Sequence, residues 1–241
     1  MLNRISLLAV SIAFAACLTA CFTMDKIPPS AGEMTREVHT IDLGKAEKLE
    51  ANIDFPAGEL EVLGGAVKLV EGEYRFNSDS LRPVIGYRES AGVGRLDLNA
   101  AKKASFGNAK GRWQIRLNDA TPLSLELRMG AGKAEINLGT LSLRTANVHF
   151  GAGEMTLDLR GKPRQGYTIE VHGGVGHGRI YIPGGAGVHA NVSGGIGEIS
   201  TQGDLRRDGH DYYNGLWNKA ERKVELTVRG GVGKIELIAA E

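Results

Sequence analysis

Five Gly-x-Gly tripeptides constrain this chain more than any other feature. They are Gly130-Ala131-Gly132, Gly151-Ala152-Gly153, Gly174-Val175-Gly176, Gly195-Ile196-Gly197 and Gly231-Val232-Gly233. Successive copies begin 21, 23, 21 and 36 residues apart. The last gap equals one repeat plus about 15 extra residues. An earlier copy stands at Gly92-Val93-Gly94 and a weaker one at Ala57-Gly58. A period of 20 to 25 residues is the signature of a stacked-repeat architecture.

Alternating runs flank each pair. Leu123-Ser124-Leu125-Glu126-Leu127, Tyr167-Thr168-Ile169-Glu170-Val171 and Val224-Glu225-Leu226-Thr227-Val228 come before it. Ala134-Glu135-Ile136-Asn137-Leu138, Met155-Thr156-Leu157-Asp158-Leu159 and Ile235-Glu236-Leu237 come after it. Period-two alternation describes a strand with one buried face. Glycine between two such runs turns the chain and leaves room for a neighbouring coil. The expected fold is therefore all-β: a single-chain β-solenoid with repeats of about 21 residues and Gly-x-Gly at its corners. Stacked in chain order, the coils give inward columns Leu127, Val148, Val171, Val192, Val228 and Ile136, Leu157, Ile180, Leu237. They give outward columns Lys133, Glu154, His177, Glu198, Lys234 and Glu126, Asn147, Glu170, Asn191, Thr227.

The first 20 residues read differently. Arg4, an apolar run from Ile5 to Leu18, and small Thr19 and Ala20 before Cys21 form a secretory signal. Ending that signal on cysteine resembles a bacterial lipobox, in which the Cys21 thiol accepts a diacylglycerol. The run is shorter than the roughly 20 apolar residues a membrane span needs. Residues 1–20 are thus expected to be cleaved. Residues 21–36 then form a lipidated cysteine and a tether loosened by Pro28, Pro29 and Gly32, and residues 37–241 the folded domain. The position after the cysteine is Phe22 rather than an inner-membrane-retaining Asp. In a Gram-negative host the destination is therefore the periplasmic side of the outer membrane.

Removing residues 1–20 takes away Arg4 and no acid, which leaves 28 basic and 28 acidic residues. A balanced charge argues against a nucleic-acid partner. Cys17 leaves with the signal and Cys21 carries lipid, so disulfides and cysteine metal sites are excluded, and the core alone must hold the domain together.

Longer stretches carry a family resemblance. Phe55-Pro56-Ala57-Gly58-Glu59-Leu60-Glu61-Val62 and Leu69-Val70-Glu71-Gly72-Glu73-Tyr74 resemble the start of toast-rack domains. So does Trp113-Gln114-Ile115-Arg116-Leu117-Asn118-Asp119 leading to Pro122-Leu123, followed by the Gly-Ala-Gly repeats. The end, from Tyr213-Asn214 through Gly230 to Leu237, is similar too. The resemblance covers residues 37–240 and extends to cell-wall-active-antibiotic response proteins and adhesin-type β-solenoids. It implies an envelope setting and supplies no catalytic residues. The chain departs from the response proteins in having a lipid anchor in place of several membrane helices.

The remaining motifs yield few sites. Gly173-Gly174-Val175-Gly176-His177-Gly178 imitates a dinucleotide fingerprint, but a strand follows it where a helix is needed. His149 and His172 share an offset in adjacent coils, so their rings fall about 5 Å apart. Ser193 and Arg128 continue that column and do not suit a metal. Asp97, Glu135, Asp158 and Glu236 read as ordinary outward residues. No catalytic residue, cofactor or metal site is expected. The insertion at 203–222 holds Tyr212, Tyr213 and Trp217, which either cap the open end of the stack or present a platform to a glycan or protein partner. Trp113 and Phe106, near the other insertion, read as caps. The function expected is a non-catalytic envelope lipoprotein, anchored to the membrane by lipid, whose solenoid is an interaction surface or scaffold for an envelope partner. The alternative is a glycan-binding or polysaccharide-cleaving protein that uses the 203–222 insertion.

Overall fold

A computed structural model describes residues 33–102 and 109–239. The signal, Cys21, most of the tether and Phe106 lie outside the described residues. Fifteen strands join in one mixed sheet. In chain order they are β1 (Thr35–Ile41), β2 (Lys48–Leu63), β3 (Val70–Phe76), β4 (Pro83–Ser90), β5 (Val93–Ala100), β6 (Gly111–Leu117), β7 (Leu123–Asn137), β8 (Leu143–Asp158), β9 (Tyr167–Ile182), β10 (Gly187–Ser193), β11 (Ile196–Gln202), β12 (Leu205–Asp208), β13 (Asp211–Asn214), β14 (Lys223–Arg229) and β15 (Val232–Ala239). A single 3-10 turn, Asp79–Leu81, is the one helical element among the described residues.

The repeats build the middle. Long strands β2, β7, β8 and β9 lie parallel and in register, Ala57 beside Ala131, Ala131 beside Ala152 and Ala152 beside Val175. Alternation then stacks Ile53, Leu127, Val148 and Val171 into one buried column. Each residue of such a column covers the next layer's side chain, at a layer spacing of about 4.8 Å. A second column runs Val62, Ile136, Leu157, Ile180, Leu237 through the other half of each layer.

The backbone pairs straight through Gly-x-Gly in these strands, so the motif is a bend inside one strand rather than a turn between two. The second glycine takes φ of +124° in Gly132, +125° in Gly153 and +144° in Gly176, which redirects the chain while its hydrogen bonds stay in the ladder. A Cβ on Gly176 would overlap the carbonyl oxygen of Gly153, and one on Gly153 that of Gly132. Glycine is thus required twice over, by φ and by the neighbouring layer.

At both ends the stacking order departs from the chain order, which corrects the expected coil-after-coil solenoid. At one end β5 and β6 pair with the two halves of β2. At the other, β14 and β15 pair with the two halves of β9, and β10 and β11 lie beyond them. Val228 therefore stands between Val171 and Val192 rather than after them. The 203–222 insertion is the reason. Its strands β12 and β13 form an antiparallel hairpin, and β13 occupies the outer edge of β10. Asn214 fixes the hairpin there, its side chain accepting from Val188 N at 2.9 Å and donating to Ala186 O at 2.8 Å. With that edge taken, the last repeat enters on the inner side.

The opposite end is closed by aromatics. Trp113 is fully buried, donates its indole N–H to Leu81 O at 3.1 Å, and meets Phe55 at 4.6 Å and Tyr74 edge-on at 5.3 Å between ring centres. Burial with little solvent near its hydroxyl raises the Tyr74 pKa.

Candidate functional site

Two outward columns cover the stack. One reads, in spatial order, Glu59, Lys133, Glu154, His177, Lys234, Glu198. The other reads Asp97, Asn52, Glu126, Asn147, Glu170, Thr227, Asn191, Asp211. In the second column an amide or hydroxyl separates every acid from the next. Asn147 donates to Glu126 at 3.2 Å and Asn191 to Asp211 at 2.8 Å. The like-charge repulsion that in-register parallel repeats would otherwise build up is avoided.

The carboxylates singled out from the sequence are engaged by cations. Asp97 meets Arg88 at 3.1 Å and Glu135 meets Lys133 at 2.6 Å. Asp158 is held by the Arg160 guanidinium through several hydrogen bonds. Glu236 accepts from Lys234 at 2.6 Å and lies 2.8 Å from His177 and 3.2 Å from Arg179. Lys234 and His177 together hold its carboxyl down to about 2. A carboxyl so stabilised as an anion is a poor proton donor near neutral pH.

The densest cluster lies on the outer face of the last layers, where β14, β10 and β13 run side by side. His189 of β10 stands between two acids. Its Nδ1 is 2.7 Å from Glu225 of β14 and its Nε2 is 2.7 Å from Asp211 of β13. Both ring nitrogens must donate to satisfy both contacts, so the geometry selects the imidazolium. Burial opposes that charge, but the hydrogen bonds to Asp211 and Glu225 outweigh it and the His189 pKa is raised. Hydrogen bonds from Asn191 and His189 lower that of Asp211. Tyr213 stacks flat on the imidazole with centres 4.7 Å apart, and Trp217 leans on it at 5.5 Å.

The three insertion aromatics thus divide. Tyr212 faces inward and is buried, beside Ala190. Tyr213 and Trp217 are half-buried on the outer face. The Arg206 guanidinium lies over the Tyr213 ring at 4.9 Å and the Lys223 ammonium over Trp217 at 4.5 Å. Cations thus occupy aromatic surface that a sugar would need. His189 and Glu225 were not singled out in the sequence. Their shared outward register becomes visible only when β14 is known to lie beside β10.

His149 and His172 do meet, stacked at 4.8 Å with planes 6° apart, each leaning on an acid, Glu126 and Glu170. Among the described residues no group of three or more His, Cys, Asp or Glu side chains is arranged to hold a metal ion. The Gly173–Gly178 stretch lies inside β9, with no helix after it.

The architecture is therefore that of an all-β protein built on glycine ladders, with paired charges outside. Residues 30–181 match the family described as the N-terminal domain of toast_rack, DUF2154, and the chain belongs to that family. Residues 129–237 also match the C-terminal domain of the cell wall-active antibiotics response protein LiaF. No curated protein matches the chain. Among solved structures, the chain is similar to one from Clostridium sporogenes ATCC 15579 described as a "putative cell adhesion protein". The two are 24% identical over 86% of this chain and 100% of that one, with a TM-score of 0.80. That likeness establishes the fold. A "putative adhesin" from Bacteroides fragilis NCTC 9343 shares 14% identity over 87% of this chain and 98% of that one, and its TM-score of 0.34 carries no argument.

Proposed function

We propose that the chain is a non-catalytic envelope lipoprotein whose glycine-laddered repeats act as a short β-solenoid scaffold that presents an interaction surface. One observation carries this reading. Acids of the outer faces are matched across strands to cations and amides, as Glu50 of β2 is to Arg95 of β5, Glu126 of β7 to Asn147 of β8, and Glu236 of β15 to His177 and Arg179 of β9. An enzyme that moves protons needs titratable groups held at poised pKa values in a recess. Here they are spent on holding neighbouring layers in register, which suits a stiff display surface. The match to a cell-wall-antibiotic response domain and the likeness to an adhesion-type fold support an envelope role. The lipobox-like Leu18-Thr19-Ala20-Cys21 supports anchorage.

The glycan alternative gains no support from the insertion, since Arg206 and Lys223 cover its outer aromatics.

The test is fractionation. Buried acyl methylenes contribute about 0.8 kcal/mol each, so two or three chains hold a protein on a membrane almost irreversibly. Cys21→Ser should move the protein from the membrane to the soluble extracytoplasmic fraction, and blocking lipoprotein processing of the wild type should leave a precursor of higher mass. A serine variant that stays with the membrane would refute the anchor. Wild-type protein should also retain envelope partners in a pull-down with no turnover of glycan or peptide substrates.

A further inference from the structure

Each half of the stack has two ends, and three of the four are covered by antiparallel strands. β4 covers β5, β3 and then β1 cover β6, and β13 and then β12 cover β10. Among the described residues nothing covers β11, whose one partner is β15.

The outermost strands elsewhere carry charges that discourage strand addition. β1 has Arg36, Glu37 and His39, β4 has Arg88 and Glu89, and β12 has Arg206, Arg207 and Asp208. Strand β11 reads Ile-Gly-Glu-Ile-Ser-Thr-Gln and has one charge, Glu198. Its Ile196 heads a row of three large apolar side chains in solvent, Ile196 at 75%, Val232 of β15 at 47% and Val175 of β9 at 57% exposure.

The core beneath this edge is also unfinished. The inward column Phe55, Met129, Phe150 continues as Gly173. The column Leu60, Ala134, Met155 continues as Gly178, Ile235, Ile199. Glycine at two inward positions leaves a cavity of about 90 Å³ lined by Phe150, Met155, Gly173, Gly178, Ile235 and Ile199. Leu60 and Met155 are buried, whereas Ile235 and Ile199 are only half-buried. The apolar interior therefore runs out towards the bare strand.

We propose that β11 is a self-association edge, on which β11 of a second copy pairs antiparallel, centred on Ile199. The open core at Ile199 selects the occupant, and charge selects the register. Centred on Ile199, the Glu198 side chain of each copy faces Ser200 of the other, twice by symmetry, and Ile196 faces Gln202. A register centred on Glu198 would set the two carboxylates against each other. Ile199 meets its own copy across the two-fold, so one contact covers the open end of both cores, as an isologous interface must. A single strand pair buries well under the roughly 800 Å² per partner of a standard interface, so the dimer is weak.

The test is sedimentation equilibrium of the full-length chain in density-matched detergent, from roughly 5 to 500 µM, the range that suits a weak interface. The wild type should show a monomer–dimer equilibrium. S200E places glutamate opposite Glu198 of the partner subunit twice and should weaken the dimer by about three- to tenfold or more. S200K should tighten it by a similar factor, and E198K with S200E should restore it. Positions 198 and 200 face outward, opposite Lys234 and Glu236 of β15, so thermal melts of the three variants should stay cooperative and move by a few degrees at most. That separates lost pairing from lost folding. Monomer at every concentration overturns the proposal, as does a dimer whose strength ignores the charges at 198 and 200.

Discussion

Gly176→Ala and Gly178→Ala stand two residues apart on the same strand and should have opposite outcomes. Gly176 has φ of +144°, and a Cβ there would overlap the carbonyl oxygen of Gly153 in the layer below. An L-residue forced into that backbone region costs about 1–3 kcal/mol. Reaching ordinary van der Waals separation would part the two layers by well over an ångström, and the overpacked strand pair adds another 1–3 kcal/mol or so. Adding the two gives roughly 2–6 kcal/mol, a large share of the 5–15 kcal/mol that holds a typical domain together. For a domain of about 200 residues each kcal/mol moves the midpoint by roughly 2–4 °C, so the expected fall is about 4 to 24 °C. Gly178 takes none of these penalties. Its φ is ordinary, and a Cβ would meet only Met155 Cε, at 3.8 Å, on the edge of the cavity. Alanine there removes freedom from the unfolded chain, which stabilises by about 0.4–1 kcal/mol, and fills a little space. Gly178→Ala should therefore melt at or slightly above the wild type. Thermal unfolding followed by far-ultraviolet circular dichroism decides it. A Gly176→Ala protein within a degree of the wild type would refute the glycine-ladder reasoning. So would a Gly178→Ala protein as unstable as Gly176→Ala, since space and φ would then not be what distinguishes the two.

Two further outcomes follow from the last layers. Tyr212→Ala empties a buried aromatic site and should cost about 3–5 kcal/mol, whereas Trp217→Ala removes a half-buried ring and should cost clearly less in the same melting assay. The imidazolium of His189 makes stability depend on pH. Its folded pKa is raised above the ordinary 6.5, so its contribution is complete below about 6.5 and is lost as pH rises through the folded value. Melting points taken between about pH 6 and 8.5 should fall more steeply for the wild type than for His189→Asn, and equal slopes would argue against a charged ring.

Much of the fold was legible because the repeat writes its chemistry twice. Alternation in Leu123–Leu127 and Ala134–Leu138 placed side chains inside or out, and the glycines marked where each strand bends. The columns through Leu127, Val148 and Val171 need only that neighbouring repeats lie in register, which the same three-residue step from each of them to its Gly-x-Gly provides. What remained hidden was the order of the end layers. No local pattern in Val224–Val228 distinguishes a strand lying above β10 from one lying below it, because the same alternating face packs equally well on either neighbour. The difference is made by the β12–β13 hairpin, in which β13 takes the outer edge of β10 and Asn214 ties it to Ala186 and Val188. A hairpin from outside the repeat thus leaves the last repeat the inner side of β10.

The hidden order also explains why the His189 cluster escaped a reading of the chain. Its members come from residues 189, 211, 213, 217 and 225, with ordinary spacing along the sequence. They converge because β14 and β13 flank β10 on opposite sides. If the last repeat had stacked outermost, β14 would occupy the edge that β13 now holds, and Asp211 would lose its place beside the ring. His189 could then meet only one acid on its outer side. The doubly hydrogen-bonded imidazolium is therefore a reporter of layer order. A His189→Asn protein that keeps its fold but loses the pH slope ties that slope to this ring, whose pKa is raised by hydrogen bonds to the two acids that the layer order sets on either side of it.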